Sequence, residues 1–137
     1  MNKDFVSFEL AVKLKEKGFN QPCMHSYTQY TSNFVYDGDP DHPESHKKGE
    51  IHIYDFYNTN DDNGRTTYSM PTISQVLKWL REEKKIFVDI RFNRYDQLYK
   101  YYAFAMSTDE DMYGGNLINT YEQAALAGVE YCLNNLI

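Results

Sequence analysis

The side chains of this sequence best suited to metal or nucleophilic chemistry are its two cysteines and four histidines. Cys23, His25, His42 and His46 fall into two pairs, and thiolate and imidazole are the donors that hold zinc in a tetrahedron. Their spacing matches none of the familiar zinc frameworks, and a loop histidine is ordinarily just hydrated, so no metal and no cofactor are expected. Cys23 and His25 stand two residues apart. On a strand they share a face, but their side chains then run parallel and do not converge as a nucleophile and its base must. Cys23 and Cys132 therefore read as reduced, packed thiols. Asp37-Gly38-Asp39-Pro40-Asp41 places oxygen ligands at alternate positions, as a calcium loop does, yet His42 stands where that loop needs glycine and Lys48 where it needs a bidentate glutamate. Asp109-Glu110-Asp111 reads as a solvated loop.

No Gly-x-Ser-x-Gly elbow, phosphate-cradling glycine loop or His-Glu-x-x-His helix occurs, so no catalytic residue is assigned and the chain reads as a non-enzyme. Lys100-Tyr101-Tyr102-Ala103-Phe104-Ala105-Met106-Ser107 partly matches the strand motif whose rings stack on RNA bases. Lys100, Tyr102, Ala103 and Phe104 agree with it. Tyr101, Ala105 and Ser107 depart from it, at the glycine, valine and last aromatic positions. A formal net charge of -6 gives a field that repels a phosphate backbone, which disfavours nucleic acid as the partner.

These residues need a scaffold, and 137 residues with 42% hydrophobic content are enough for one domain, 1–137, with a packed core. The opening residues carry Lys3, Asp4 and Glu9 and lack the apolar run of a secretion signal. With no membrane-length apolar stretch either, the expected location is cytoplasmic, with no membrane partner. Three helices are expected, near residues 7–17, 73–84 and 120–136. Ser7 caps the first and Gly18 stops it. Thr72-Ile73-Ser74-Gln75 and Thr120-Tyr121-Glu122-Gln123 are capping boxes for the others. Period-two alternation marks strands at 50–57 and 86–92, a longer one at 97–106 and a weaker one at 24–30. The order αββαββα predicts an α+β fold: an antiparallel sheet of about four strands with three helices packed mainly on one face.

Glu9-Leu10-Ala11-Val12-Lys13-Leu14-Lys15-Glu16-Lys17-Gly18-Phe19, Pro22-Cys23, Pro71-Thr72-Ile73-Ser74-Gln75, Trp79-Leu80-Arg81-Glu82 and Tyr121-Glu122-Gln123-Ala124 together resemble a family of short uncharacterised proteins from Bacteroides-type gut bacteria and their phages. The resemblance spans most of the chain and skips its two loops. It implies an intracellular, phage-related setting. These motifs are helix starts and core positions, so it implies no activity and no functional residues.

The remaining signal is aromatic: 13 Tyr, 8 Phe and one Trp, enough that many rings must lie on half-buried surfaces. If Ile51, Ile53, Val88, Ile90, Leu98, Tyr102 and Phe104 point toward the helices, alternation sends Tyr54, Phe56, Phe87, Arg91, Tyr99 and Tyr101 to the opposite face. Trp79 is expected half-exposed at the edge of the second helix's stripe, set by Ile73, Val76, Leu77 and Leu80. Those seven residues form the expected binding site. It serves a small binding or regulatory module whose partner is another protein or a second copy, unless residues 31–49 fold over it with Phe34 and Tyr36. The alternatives are a nucleic-acid-binding module and a small enzyme of unrecognised type.

Overall fold

Ser7 is extended, and its Oγ accepts the Leu10 N–H at 3.2 Å, which satisfies one of the free donors at the start of α1 (Phe8–Glu16). Gly18, at φ 92°, ends that helix by letting the Phe19 N–H reach back to the Leu14 carbonyl at 2.9 Å. The computed structural model describes residues 4–54, 64–106 and 113–137. They form two compact units, one of Ser7–Pro71 and one of Met1–Val6 with Thr72–Ile137.

In the first unit α1 is followed by β1 (Ser26–Tyr30), β2 (Ile51–Tyr54) and β3 (Arg65–Ser69), paired antiparallel in the order β2-β1-β3. The expected inner stripe of α1, Leu10, Ala11 and Leu14, is buried. Phe8 meets Tyr27 and Tyr68 edge-on, with ring centroids 5.7 and 5.4 Å apart, so the face of Tyr27 and Tyr68 is the one turned to the helix. The register places Ile53 beside Tyr27 and Ile51 beside Gln29 on that face, at the edge strand, where both isoleucines stay exposed. Tyr30, His52, Tyr54 and Arg65 take the other face.

The second unit begins at Thr72, whose Oγ1 accepts from the Gln75 N–H at 3.2 Å while the Gln75 side chain accepts from the Thr72 N–H at 2.9 Å, a complete capping box. The helix α2 (Ile73–Trp79) runs on into one π-helical turn, Leu80–Lys84, closed by Lys85 in the left-handed region at φ 56°. Then come β4 (Ile86–Asn93), β5 (Leu98–Ala105), the two-residue β6 (Tyr113–Gly114) and α3 (Tyr121–Asn135). The β4–β5 hairpin carries β6 on its β5 edge. Ala124, Ala125, Gly128, Val129, Cys132 and Leu133 are the buried stripe of α3.

Among the described residues the architecture is α+β with three helices, as expected, but the strands form two small antiparallel sheets instead of one of four, and the order is αβββαβββα. The additional strands β3 and β6 account for the order, and the sheet divides because the four expected strands pair as β1 with β2 and β4 with β5. A Cβ on Gly128 would stand 2.6 Å from Val88 Cγ1 and 3.2 Å from Tyr101 Cγ, so the missing side chain is what lets α3 lie on the hairpin.

Candidate functional site

The hairpin's four-residue loop, Arg94 to Gln97, pairs Asn93 with Leu98 and hence Val88 with Ala103 and Ile90 with Tyr101. A loop of even length pairs positions of opposite parity. Ile86, Val88 and Ile90 therefore share the α3 face with Tyr99, Tyr101, Ala103 and Ala105, and the open face carries Phe87, Asp89, Arg91, Leu98, Lys100, Tyr102 and Phe104. Asn93 shapes the turn, its Oδ1 accepting from the Tyr95 and Asp96 N–H groups at 2.9 and 3.3 Å.

On that open face Phe87 and Phe104 stack with centroids 5.4 Å apart and planes 13° from parallel. The Arg91 guanidinium lies 4.4 Å from the centre of the Tyr102 ring and the Lys100 ammonium 5.4 Å from it. Arg91 Nε also donates to Asp89 Oδ2 at 2.8 Å, with both side chains about half exposed. At the end of the hairpin Arg91, Arg94, Lys100, Tyr95 and Tyr102 border a shallow depression of about 350 Å³, and Tyr95 at its rim is 95% exposed. Three cations meet here on a chain whose net charge is -6.

The six residues expected to form one aromatic face do not form one, and Trp79, expected half-exposed on the second helix, is buried. Phe87 and Arg91 share the open face. Tyr99 is on the α3 side, where it pairs with Ile118 through two backbone hydrogen bonds of 2.7 Å and meets Tyr121 edge-on. Tyr101 is core: it is 7% exposed, against the surfaces left by Gly115 and Gly128. Tyr54 belongs to the other sheet, and Phe56 lies outside the described residues. Trp79 is 4% exposed, with the Lys84 ammonium 5.4 Å over its ring. The buried stripe of α2 is Ile73, Val76, Trp79 and Leu80, turned away from a half-buried Leu77, because an indole buries more apolar area than the leucine it displaces from the centre of the stripe. Leu98, Tyr102 and Phe104, expected to face the helices, are on the open face.

A second constellation stands in the first unit. Thr31 to Gly49 fold back over the face of β1 and β2 turned away from α1, where Tyr54 is the one described member of the expected patch, and Phe34 and Tyr36 stay exposed: Phe34 and His46 exchange two backbone hydrogen bonds of 2.8 Å, and Gly49, at φ 93°, turns the chain into β2. The His46 ring stacks on Tyr30 at 4.3 Å, and the Tyr30 hydroxyl is 3.1 Å from that of Tyr54. Tyr30, Phe34, Tyr36, His46, Tyr54 and Arg65 line a cleft of about 360 Å³. Burial, and then the Tyr30 hydroxyl, push the Tyr54 phenol up to about 12.

Beside the cleft, one oxygen of Glu50 is approached by two imidazoles, His52 Nε2 at 3.1 Å and His46 Nδ1 at 3.2 Å. The His52 contact, the Lys47 backbone N–H and His46 hold the Glu50 carboxyl below its usual range, so it stands there as an anion. Cys23, His25 and His42 are not part of this group. Among the described residues, the cluster of His, Cys, Asp and Glu donors close enough to share an ion is His46, Glu50 and His52. The spacing His-x3-Glu-x-His was the signal in the sequence. It closes only because Gly49 brings the two sides of a turn together.

No protein family, curated protein or solved structure matches this chain. The site chemistry is therefore carried by its own geometry. No helix among the described residues is long and apolar enough to cross a membrane.

Proposed function

We propose that this chain is a non-enzymatic binding module whose contact surface is the open face of the β4–β5 hairpin, and that its partner is a protein segment carrying acidic and aromatic side chains. The observation that carries the reading is the Tyr102 ring flanked by Arg91 at 4.4 Å and Lys100 at 5.4 Å, on a half-exposed strand face of an otherwise acidic chain. A guanidinium prepaid in position by a ring can fork onto a carboxylate, and the neighbouring rings of Phe87 and Phe104 supply apolar area at little rotamer cost. Short acidic segments suit such a surface better than a polyanion does, because local attraction to three cations has only to overcome the remote field of a chain at -6.

One observation favours a second reading. Lys100, Tyr102 and Phe104, three of the four positions that agree with the RNA-stacking motif, are together on the open face, where bases could reach them, while the fourth, Ala103, is buried on the α3 side.

Fluorescence anisotropy with a labelled Glu/Asp-rich peptide containing one tryptophan, and in parallel with a single-stranded RNA oligomer, separates the two. The expected result is saturable, salt-sensitive peptide binding weakened at least about fivefold by Arg91→Ala or Tyr102→Ala, a loss of about 1 kcal/mol, and unchanged by Lys48→Ala. Binding of the RNA alone would replace the protein partner with nucleic acid. Binding of neither, or binding indifferent to Arg91 and Tyr102, would remove the hairpin face as the site.

A further inference from the structure

We infer that His46, Glu50 and His52 form a binding site for a divalent transition-metal ion, zinc above all, with His46 Nδ1, one Glu50 oxygen and His52 Nε2 as its protein ligands. The inference is independent of the hairpin surface, since every residue it uses belongs to the first unit.

The donor set comes first. Two imidazoles and one carboxylate are the ligand types that zinc takes when three protein groups hold it and a fourth position is left to water or a ligand. They are a poor set for calcium or magnesium, which take oxygens. Geometry comes next. An ion held tetrahedrally about 2.0 to 2.2 Å from each donor would set neighbouring donors roughly 3.3 to 3.6 Å apart, and the two Glu50 contacts, at 3.1 and 3.2 Å, need to open only slightly to admit it. All three donor atoms are within 4.8 Å of one another. The His46 to His52 edge is the one left to close, and the His52 side chain, 38% exposed, has room to turn.

The scaffold is preformed as well. His46 is fixed by its two backbone bonds to Phe34 and by the ring of Tyr30, and its side chain is only 12% exposed. Glu50 is fixed from the other side, its carbonyl accepting from the Tyr30 N–H at 2.9 Å, and His52 is in register with Thr28 inside the sheet. The His52 ring meets Tyr30 edge-on at 5.7 Å. Tyr30 thus orients both imidazoles. All three ligands come from one seven-residue stretch, so binding orders little chain that is not already ordered. The competing arrangement is a carboxylate that only accepts hydrogen bonds from two histidines. It explains the distances equally well but predicts no affinity for metal.

Purified full-length protein, stripped with a chelator and titrated with Zn2+ by isothermal calorimetry, decides between them. One equivalent should bind with a Kd of about 10 μM or tighter and raise the melting temperature by mass action. His52→Ala and Glu50→Gln should each weaken binding more than about 100-fold, because even groups one shell further out are worth about 10- to 100-fold. Glu50→Gln keeps the shape and an acceptor oxygen, so its circular dichroism and melting temperature without metal should match those of the parent. His25→Ala and His42→Ala should bind zinc as the parent does. Co2+ should give visible absorption bands of an ordered nitrogen and oxygen site, lost in the same two variants. Zinc binding absent below millimolar concentration, or retained in both Glu50→Gln and His52→Ala, would overturn the site.

Discussion

Tyr101 and Tyr102 are neighbours in sequence with opposite roles, and alternation along a strand is the reason. Tyr101 is turned into the α3 side with 7% of its surface exposed, while Tyr102 stands on the open face between two cations. Truncating a buried aromatic ring to alanine costs about 3 to 5 kcal/mol, through lost transfer energy and the cavity left behind. Tyr101→Ala should therefore lower the unfolding free energy by roughly 3 kcal/mol or more, and Tyr102→Ala by less than about 1, measured by urea denaturation. Equal losses would mean that the faces of β5 are misassigned.

The thiols give a second test at this scale. Burial pushes Cys132 up to about 12 and raises Cys23 to a smaller degree. Neither should react with a disulfide reagent near pH 8 in the folded protein, and both should react in denaturant. Because Cys132 and Tyr54 hold their protons more tightly folded than at their ordinary values of 9.0 and 10.0, their contribution to stability is complete below pH 9 and is lost as pH rises toward about 12. The urea midpoint should be flat through neutral pH and fall above about 9. Rapid native labelling, or a midpoint that rises in that window, would contradict the burial.

At the scale of elements, the packing of α3 on the hairpin hangs on one missing side chain. Alanine at position 128 would gain about 1 kcal/mol in helix propensity, but its methyl would have to displace Val88 and Tyr101, an overpacking cost of about 1 to 3 kcal/mol. Val88 Cγ1 at 2.6 Å is too close to absorb by small shifts, so the cost wins. Gly128→Ala should destabilise by about 1 kcal/mol and Gly128→Leu by more, in thermal or urea unfolding. A stabilised Gly128→Ala protein would show that α3 rides higher on the sheet.

The helices were legible in the sequence because Ser7, Thr72 and Thr120 are true caps and each precedes an apolar stripe. β3 was not, since Arg65-Thr66-Thr67-Tyr68-Ser69 has no apolar alternation and turns the hydroxyls of Thr67 and Ser69 inward. Strand positions in β4 and β5 were readable one strand at a time, but which faces coincide depends on the loop between them. The expected strands leave a four-residue gap, 93–96, and the observed loop, Arg94 to Gln97, is also four residues, so both pair odd with even positions; the expected faces do not apply that parity across the loop, which moves Tyr102 and Phe104 to the open side. The histidine cluster was hidden for a similar reason: His46 and His52 are close only because of a left-handed glycine and a strand register, and sequence patterns express neither directly.

For the whole molecule, the uneven placement of charge is what supports the proposed hairpin surface. On a chain at -6, Arg91, Arg94 and Lys100 stand at one end of one hairpin, beside the Tyr95 ring exposed to 95%, and the His46, Glu50 and His52 donors belong to the other unit. The two sites use different chemistry, and a partner bound at one is not required for the other. The hairpin claim is tested most directly by 1H–15N chemical-shift mapping during titration with the acidic, tryptophan-bearing peptide. The account predicts saturable shifts confined to Arg91, Arg94, Lys100, Tyr102 and their strand neighbours, shrinking as salt is raised, with His46, Glu50 and His52 unmoved. Shifts centred on residues outside the β4–β5 hairpin, or no shifts at millimolar peptide, would contradict it.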